Sequence, residues 1–343
     1  MRRALPVVCL AAGRSTAAQR VSMQSFSFVF HREFTLSALA MNEKSVMTLK
    51  GKGDQFVRQE KIHFSFGGNK FDLDSVIQDT KPEGSDVGTV VAIHGAPGSH
   101  KDFKYVAPLL SAAGIRFNNT ERVCYVQAVV EFLGLKKNVV FFGHSRGTEN
   151  ALKMAALNTD KTVGLVSANF IGISTHRGIK PTWLITFIDF LWQLGWPTRW
   201  FMRPFLFYVY NSFLKMRVPT PELAAWSLSC MVPWKVDLPG QEVFVEKLNR
   251  SGIRSLLIYS GRDPLIEPEV SKEFVDLFED NHGLECDSKT MDDETVRRQV
   301  RESFEKGHRS VSVYFKREDH FLQKHRAQLL FEGICALLKK KGE

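Results

Sequence analysis

Val139-Val140-Phe141-Phe142-Gly143-His144-Ser145-Arg146-Gly147-Thr148 runs from a continuous apolar stretch into a serine set between glycines, and then into helix-forming sequence. Four β-prone apolar residues with no polar alternation predict a strand buried on both faces, as in the middle of a parallel sheet. Residues 148–157 read as a helix. The pentapeptide between them has the form G-x-S-x-G, and its position between a buried strand and a helix is what makes it informative. A sharp strand-to-helix turn holds the serine in a strained conformation with its hydroxyl exposed. Side chains two residues to either side would collide there, which accounts for Gly143 and Gly147. The backbone N–H of Arg146, at the start of the helix, would face the position where an oxyanion forms. Ser145 is therefore the candidate nucleophile; the plainer alternative is an ordinary turn serine.

Working outward, alternation and β-rich runs over 61–66 and 71–78, joined by Gly67-Gly68-Asn69, predict a hairpin. Residues 89–93 form a second buried strand. Helices are expected over 102–113 and 121–133. Strands follow at 162–168, 253–259 and 310–315, with helices at 269–278 and 322–338. Strand and helix alternate, the signature of a doubly wound α/β sheet. The alternation stops over 169–234, which is rich in Trp, Phe and Pro and reads as an inserted helical cap. Its segment 183–196 has 14 residues and contains Asp189, too short and too polar for a span that needs about 20 apolar residues. A helix packed on the cap's own core is the first reading; a peripheral membrane contact through the cap is the second. Residues 279–309 read as a charged insertion with a surface helix. The organisation expected is 1–54 as an N-terminal segment, 55–168 as the first part of the core, 169–234 as the cap and 235–343 as the second part.

Composition narrows the classes. The chain has 343 residues, 44% hydrophobic and 24% charged, enough to bury a core without disulfides or metal. Its net charge of +9 is concentrated at one end, because residues 1–32 hold five arginines and no acid. The remainder carries interspersed signs and no basic stripe interleaved with aromatics, which argues against a nucleic-acid partner. Five scattered cysteines without a C-x-x-C pair fit neither a disulfide framework nor a zinc site, and point to a reducing compartment. The Arg-, Ser- and Ala-rich start matches a mitochondrial transit peptide, with a secretory signal or a cytoplasmic tail as alternatives.

His94-Gly95-Ala96-Pro97-Gly98 closes the strand at 89–93, and could be simply a tight turn. Beside a serine elbow it is also where a second oxyanion donor should sit, with the N–H of Ala96 as the candidate. His94 itself reads as structural. Taken together, these motifs resemble the α/β-hydrolase fold superfamily in its serine-hydrolase form, from the hairpin near Lys61 to the last helix. Within it the nearest resemblance is to an uncharacterised nematode subfamily with HGxPG and GHSRG motifs.

In that superfamily nucleophile, acid and base follow in chain order. The resemblance implies Asp263, in Ser260-Gly261-Arg262-Asp263-Pro264, as the acid, although an Asp before proline can also cap a turn. The position one strand earlier, where some members carry the acid, reads Ser167-Ala168-Asn169. His320, after the last strand, is the implied base; His325 is the weaker alternative, and Asp319 cannot easily orient its own neighbour. The implied chemistry is acyl transfer to Ser145 with no metal or cofactor. HGxPG also occurs in epoxide hydrolases, but their nucleophile is an aspartate, and Ser145 excludes that chemistry. Arg146 and Glu149 either shape the pocket or pair on the helix surface, the latter being favoured.

One departure stands out. Only 114–120 is available for the strand that should lie between the hairpin and 89–93, and the 51 positions from His94 to Ser145 are fewer than the family uses. The expectation is a core strand shortened or missing, with the hairpin pairing directly on 89–93 or that edge left open. It carries a further expectation of a weakly folded or weakly active chain, which a cooperative melt with fast ester turnover would contradict. Three functions follow: a serine hydrolase of esters, thioesters or lipids with an apolar acyl pocket in the cap; an inactive relative binding a ligand or partner through the cap; and a membrane-anchored interaction protein.

Overall fold

A computed structural model describes residues 57–66, 69–96, 116–120, 123–214, 216–233, 236–287 and 294–339. The N-terminal segment 1–54 and the helix expected over 102–113 lie outside them.

The hairpin is β1 (Val57–Phe66) and β2 (Asn69–Gln78), antiparallel and in register from Val57 opposite Gln78 to Phe66 opposite Asn69. It forms its own two-stranded sheet. The main sheet has seven strands, all parallel: β3 (Thr89–Ile93), β4 (Arg116–Thr120), β5 (Val139–His144), β6 (Thr162–Ala168), β7 (Arg254–Ser260), β8 (Asn281–Cys286) and β9 (Ser310–Phe315), in the order β4-β3-β5-β6-β7-β9-β8. The described helices that bear on it are α1 (Val123–Phe132), α2 (Gly147–Leu157), α6 (Gln241–Ser251), α7 (Pro268–Val275), α8 (Glu294–Glu305), α9 (Leu322–His325) and α10 (Ala327–Leu338); the helices between α2 and α6 form the cap.

Period-2 geometry sends successive side chains of each strand to opposite faces, so these runs need an apolar cover on both. Val90, Val140, Val166, Leu256 and Val311 face α8 and α10. Val91, Phe141, Leu165 and Leu257 face α1, α2, α6 and α7. Such burial contributes roughly 1.5–3 kcal/mol per large side chain, which is why the alternation of buried strand and helix is so readable in the sequence.

Three expectations are corrected. The strand expected to be shortened or missing is present: β4 spans five residues, the same length as β3, and pairs with it in parallel. The hairpin therefore neither pairs with β3 nor leaves β3 as an edge. The insertion at 279–309 is not merely a surface helix. It contains β8, an edge strand in which only Cys286 is buried, and α8, which seats Val296, Val300 and Phe304 on the sheet. The helix expected over 322–338 is broken at Arg326, whose guanidinium turns inward to Glu318 at 2.8 Å and lies over the Phe315 ring.

The cap is built from α3 (Thr182–Gln193), α4 (Trp196–Tyr208), a π-helical turn (Val209–Phe213) and α5 (Pro221–Cys230). Its small core is Trp192, Met202, Leu206, Tyr210, Val218, Ala224 and Ala225. As expected, the segment 183–196 packs on that core, through Trp192 with Ile188 and Leu191 partly buried against it. In α3 only Asp189 and Trp192 are buried, and the other aromatics face out.

Candidate active site

From β3 the chain runs to β4 on one side and then to β5 on the other, so β3 and β5 flank a topological switch point. In open α/β sheets ligands bind in the crevice at the carboxyl ends of strands there. The ends of β3 and β5 carry the two glycine motifs. Ser145 follows β5 with φ at +53°, in the left-handed region that non-glycine residues rarely occupy. Its amide donates to the Ala168 carbonyl, and its own carbonyl accepts from Thr148 N–H at 3.0 Å and Thr148 Oγ1 at 2.6 Å, so the turn is held from both sides. A Cβ on Gly143 would lie 2.5 Å from Thr148 Cα, and one on Gly147 would lie 2.2 Å from the Ile93 carbonyl oxygen. Both glycines are required by close backbone approach. A Cβ on Gly95 would come within 2.9 Å of Ser145 Cβ, so the turn after β3 runs against the serine, with Ala96 next in the chain.

Ser145 Oγ lies 2.9 Å from His320 Nε2, and His320 Nδ1 lies 2.7 Å from Asp263 Oδ2. The other Asp263 oxygen accepts the N–H groups of Leu265 at 2.8 Å and Ile266 at 3.1 Å. All three side chains are buried. The structure thus brings together Ser145, Asp263 and His320 from the ends of β5, β7 and β9. It does not bring in His325, which bonds Glu318, nor Asp319, which accepts the Phe321 amide, nor His94, whose ring bonds the Gly95 carbonyl.

Burial alone would raise the Asp263 carboxyl. The neighbouring His320 ring, its hydrogen bond and the two backbone amides outweigh that and hold it below the ordinary carboxylate range. A carboxylate whose pKa is depressed on folding stabilises the protein above its unfolded pKa of about 3.9, and that contribution disappears as pH falls through the folded value. Denaturation at graded pH should therefore show Asp263→Asn losing stability relative to wild type at neutral pH, with the difference shrinking only in strong acid.

Several contributors were not legible. Asn169, left-handed at the end of β6 with φ at +44°, donates from Nδ2 to the Asp319 carbonyl at 3.0 Å and the His320 carbonyl at 2.8 Å. His144 Nε2 donates to the His320 carbonyl at 2.9 Å, and Ser260 Oγ to the Asp319 carbonyl at 2.7 Å. Three donors thus fix the loop that carries the histidine. The only available signal for Asn169 was its place at the end of a central strand. Asn169→Ala should cost about 1–3 kcal/mol in stability by removing two buried hydrogen bonds and leaving each carbonyl with one donor in place of two. Any turnover should fall by about tenfold through loss of alignment. Chemical denaturation and kcat on one preparation check both. His176 is buried, donates from Nδ1 to the Leu265 carbonyl beside the Asp263 loop, and is held below the usual imidazole range by desolvation.

Arg146 and Glu149 do pair, but not on the surface as favoured from sequence. Glu149 is buried between Arg146 and Lys153, and Arg146 Nε donates to the Cys230 carbonyl at the end of α5. The residue after the elbow serine thereby ties the cap to the site.

Fold and site together define an α/β hydrolase. The sequence profile described as "Alpha/beta hydrolase of unknown function (DUF1057)" matches residues 57–118 and 116–339, two stretches that meet at β4. The chain belongs to that family. It is 31% identical over 301 residues to an uncharacterised protein of Caenorhabditis elegans, F35H12.5, covering 79% of this chain and 83% of that one. Among solved structures, the ancestral haloalkane dehalogenase AncHLD2 aligns with a TM-score of 0.54 and 16% identity over 82% of this chain and 98% of its own. The bromoperoxidase of Bacillus anthracis aligns at 0.50 and 16% identity, over 82% of this chain and 100% of its own. At such identities these structures bear on the fold alone.

Proposed function

We propose that this hydrolase cleaves a carboxylic ester, thioester or lipid acyl bond through a Ser145-His320-Asp263 triad and an acyl-enzyme. His320 Nε2 takes the Ser145 proton as Oγ attacks the acyl carbonyl carbon. The carbonyl oxygen becomes an oxyanion opposite the N–H groups of Ala96 and Arg146. Asp263 fixes the tautomer that leaves Nε2 free to accept, and stabilises the imidazolium once it forms. The imidazolium returns its proton to the leaving group as the C–O or C–S bond breaks. Water, deprotonated by the same histidine, then releases the acid and restores Ser145.

The observation that carries this reading is the unbroken line of two hydrogen bonds, 2.9 and 2.7 Å, from a serine in the left-handed region to a buried carboxylate. The three groups come from strand ends far apart in sequence, and an ordinary turn serine has no reason to meet such partners. Hydrolysis of p-nitrophenyl esters of increasing acyl length tests the proposal. Turnover with an initial burst in wild type and none in Ser145→Ala is expected. Saturable ligand binding without turnover, unchanged in Ser145→Ala, would instead assign the chain a binding role.

A further inference from the structure

The outer face of the cap is unusual for a protein surface. Trp183, Phe187 and Phe190 line one side of α3 at helical spacing, and all are at least half exposed. Met202 and Leu206 of α4 and Tyr210 of the π-helical turn after it face the cap core, which leaves Trp196, Trp200, Phe201, Phe205 and Tyr208 of α4 outside; Trp196 is 77% exposed and Phe201 75%. Exposed apolar patches of this extent mark interaction sites.

Charge identifies what meets the face. Between Asn169 and Pro221 the sequence holds six lysines and arginines and a single acid, Asp189. Asp189 is buried, Arg177 and Arg217 are exposed, and the exposed Arg203 and Lys180 pair with Glu222 at 2.9 Å and Glu267 at 3.8 Å. Trp and Phe in an amphipathic face bordered by cations form the composition that settles into a lipid headgroup layer, rings at the acyl boundary and cations among phosphates. A second copy of the chain fits less well, because a two-fold contact through this face would set the same cations against one another. No described helix is long and apolar enough to cross a membrane, so the contact lies in the interface plane.

We propose that the outer face of α3 and α4 seats on an anionic phospholipid surface. The cap is joined to the elbow through Arg146 and Cys230, so seating would place the site next to acyl lipid and make membrane lipid its substrate class. That last step rests on the proposed hydrolase function; the membrane contact does not.

The test floats the full chain with phosphatidylcholine vesicles, with and without phosphatidylserine, at low and high salt. Wild type and Ser145→Ala are expected to float alike, more strongly with phosphatidylserine and less at high salt. The triple variant Trp183→Ser, Phe187→Ser, Phe190→Ser should partition at least about tenfold less, since each loses an apolar side chain from the contact. Its thermal melt should be unchanged because the positions are exposed; if it does not fold, Phe187→Glu alone must show the loss. Wild type failing to float, or a folded variant floating equally, overturns the proposal. So does a wild-type dimer in light scattering that the triple variant reduces to monomer without vesicle binding, which would assign the face to a second copy. Flotation without ester turnover leaves the membrane contact standing and removes the hydrolase reading.

Discussion

Replacing His320 with Ala is expected to lower ester turnover by about 10⁵- to 10⁶-fold, and Asp263 with Asn by about 10⁴-fold. The order follows from the geometry. Among the described residues His320 is the only group within hydrogen-bond reach of Ser145 Oγ that can take a proton, so its loss leaves the hydroxyl as weak a nucleophile as any serine. Asp263 acts one bond further back, at Nδ1. An amide of the same shape keeps the packing and can still accept the Leu265 and Ile266 amides, but it cannot stabilise the imidazolium and no longer dictates the tautomer. Both changes should appear in kcat more than in KM, because the interactions they remove strengthen only as charge develops. Steady-state kinetics with a soluble thioester or nitrophenyl ester reads the two values directly. Equal losses at the two positions would mean that Asp263 does more than orient the ring.

Gly147→Ala is the largest stability effect expected. A single methyl there would lie 2.2 Å from the Ile93 carbonyl oxygen and 2.6 Å from that of His94, both on the backbone at the end of a central strand. A flexible side chain could move aside; a strand end held by its neighbours on both sides cannot do so cheaply. Overpacking against backbone of this kind costs about 3 kcal/mol or more, a large part of the 5–15 kcal/mol that holds a domain together. Gly143→Ala meets Thr148 Cα at 2.5 Å and should behave similarly. The expected result is a denaturation midpoint shifted far down or an insoluble product. Any folded fraction should have a displaced elbow and turn over at least about 100-fold more slowly. A normal melt for Gly147→Ala would show that the turn after β5 is looser than its contacts imply.

The central strands were legible because a parallel strand covered on both faces is rich in apolar β-formers: 89–93 and 139–142 are nearly continuous apolar runs, and 162–168 and 310–315 are Val-rich with small residues between. Residues 143–147, 263 and 320 were legible for a related reason: chemistry at strand ends leaves glycines and polar residues directly after apolar runs. Edge strands carry no such mark. Arg116-Phe117-Asn118-Asn119-Thr120 and Asn281-His282-Gly283-Leu284-Glu285-Cys286 are largely polar, and the first reads as what is left of a strand shortened or missing and the second as part of an insertion. Asn169 was hidden because its partners lie about 150 residues further on and its bonds go to backbone, which leaves no pattern in sequence. The cap was legible as a helical unit, but not which of its sides is exposed. Aromatic residues at helical spacing fit a buried stripe and an exposed one equally well, and only the packing of Met202, Leu206 and Tyr210 decides which side is inside.

The central claim is that Ser145 is an activated nucleophile. Its most direct measurement is reaction of the purified chain with a fluorophosphonate, followed by mass spectrometric location of the adduct. Stoichiometric label on Ser145, absent from Ser145→Ala and much slower in His320→Ala, is the predicted result. A cooperatively folded chain that takes no label, or takes it at a residue other than Ser145, would contradict the account.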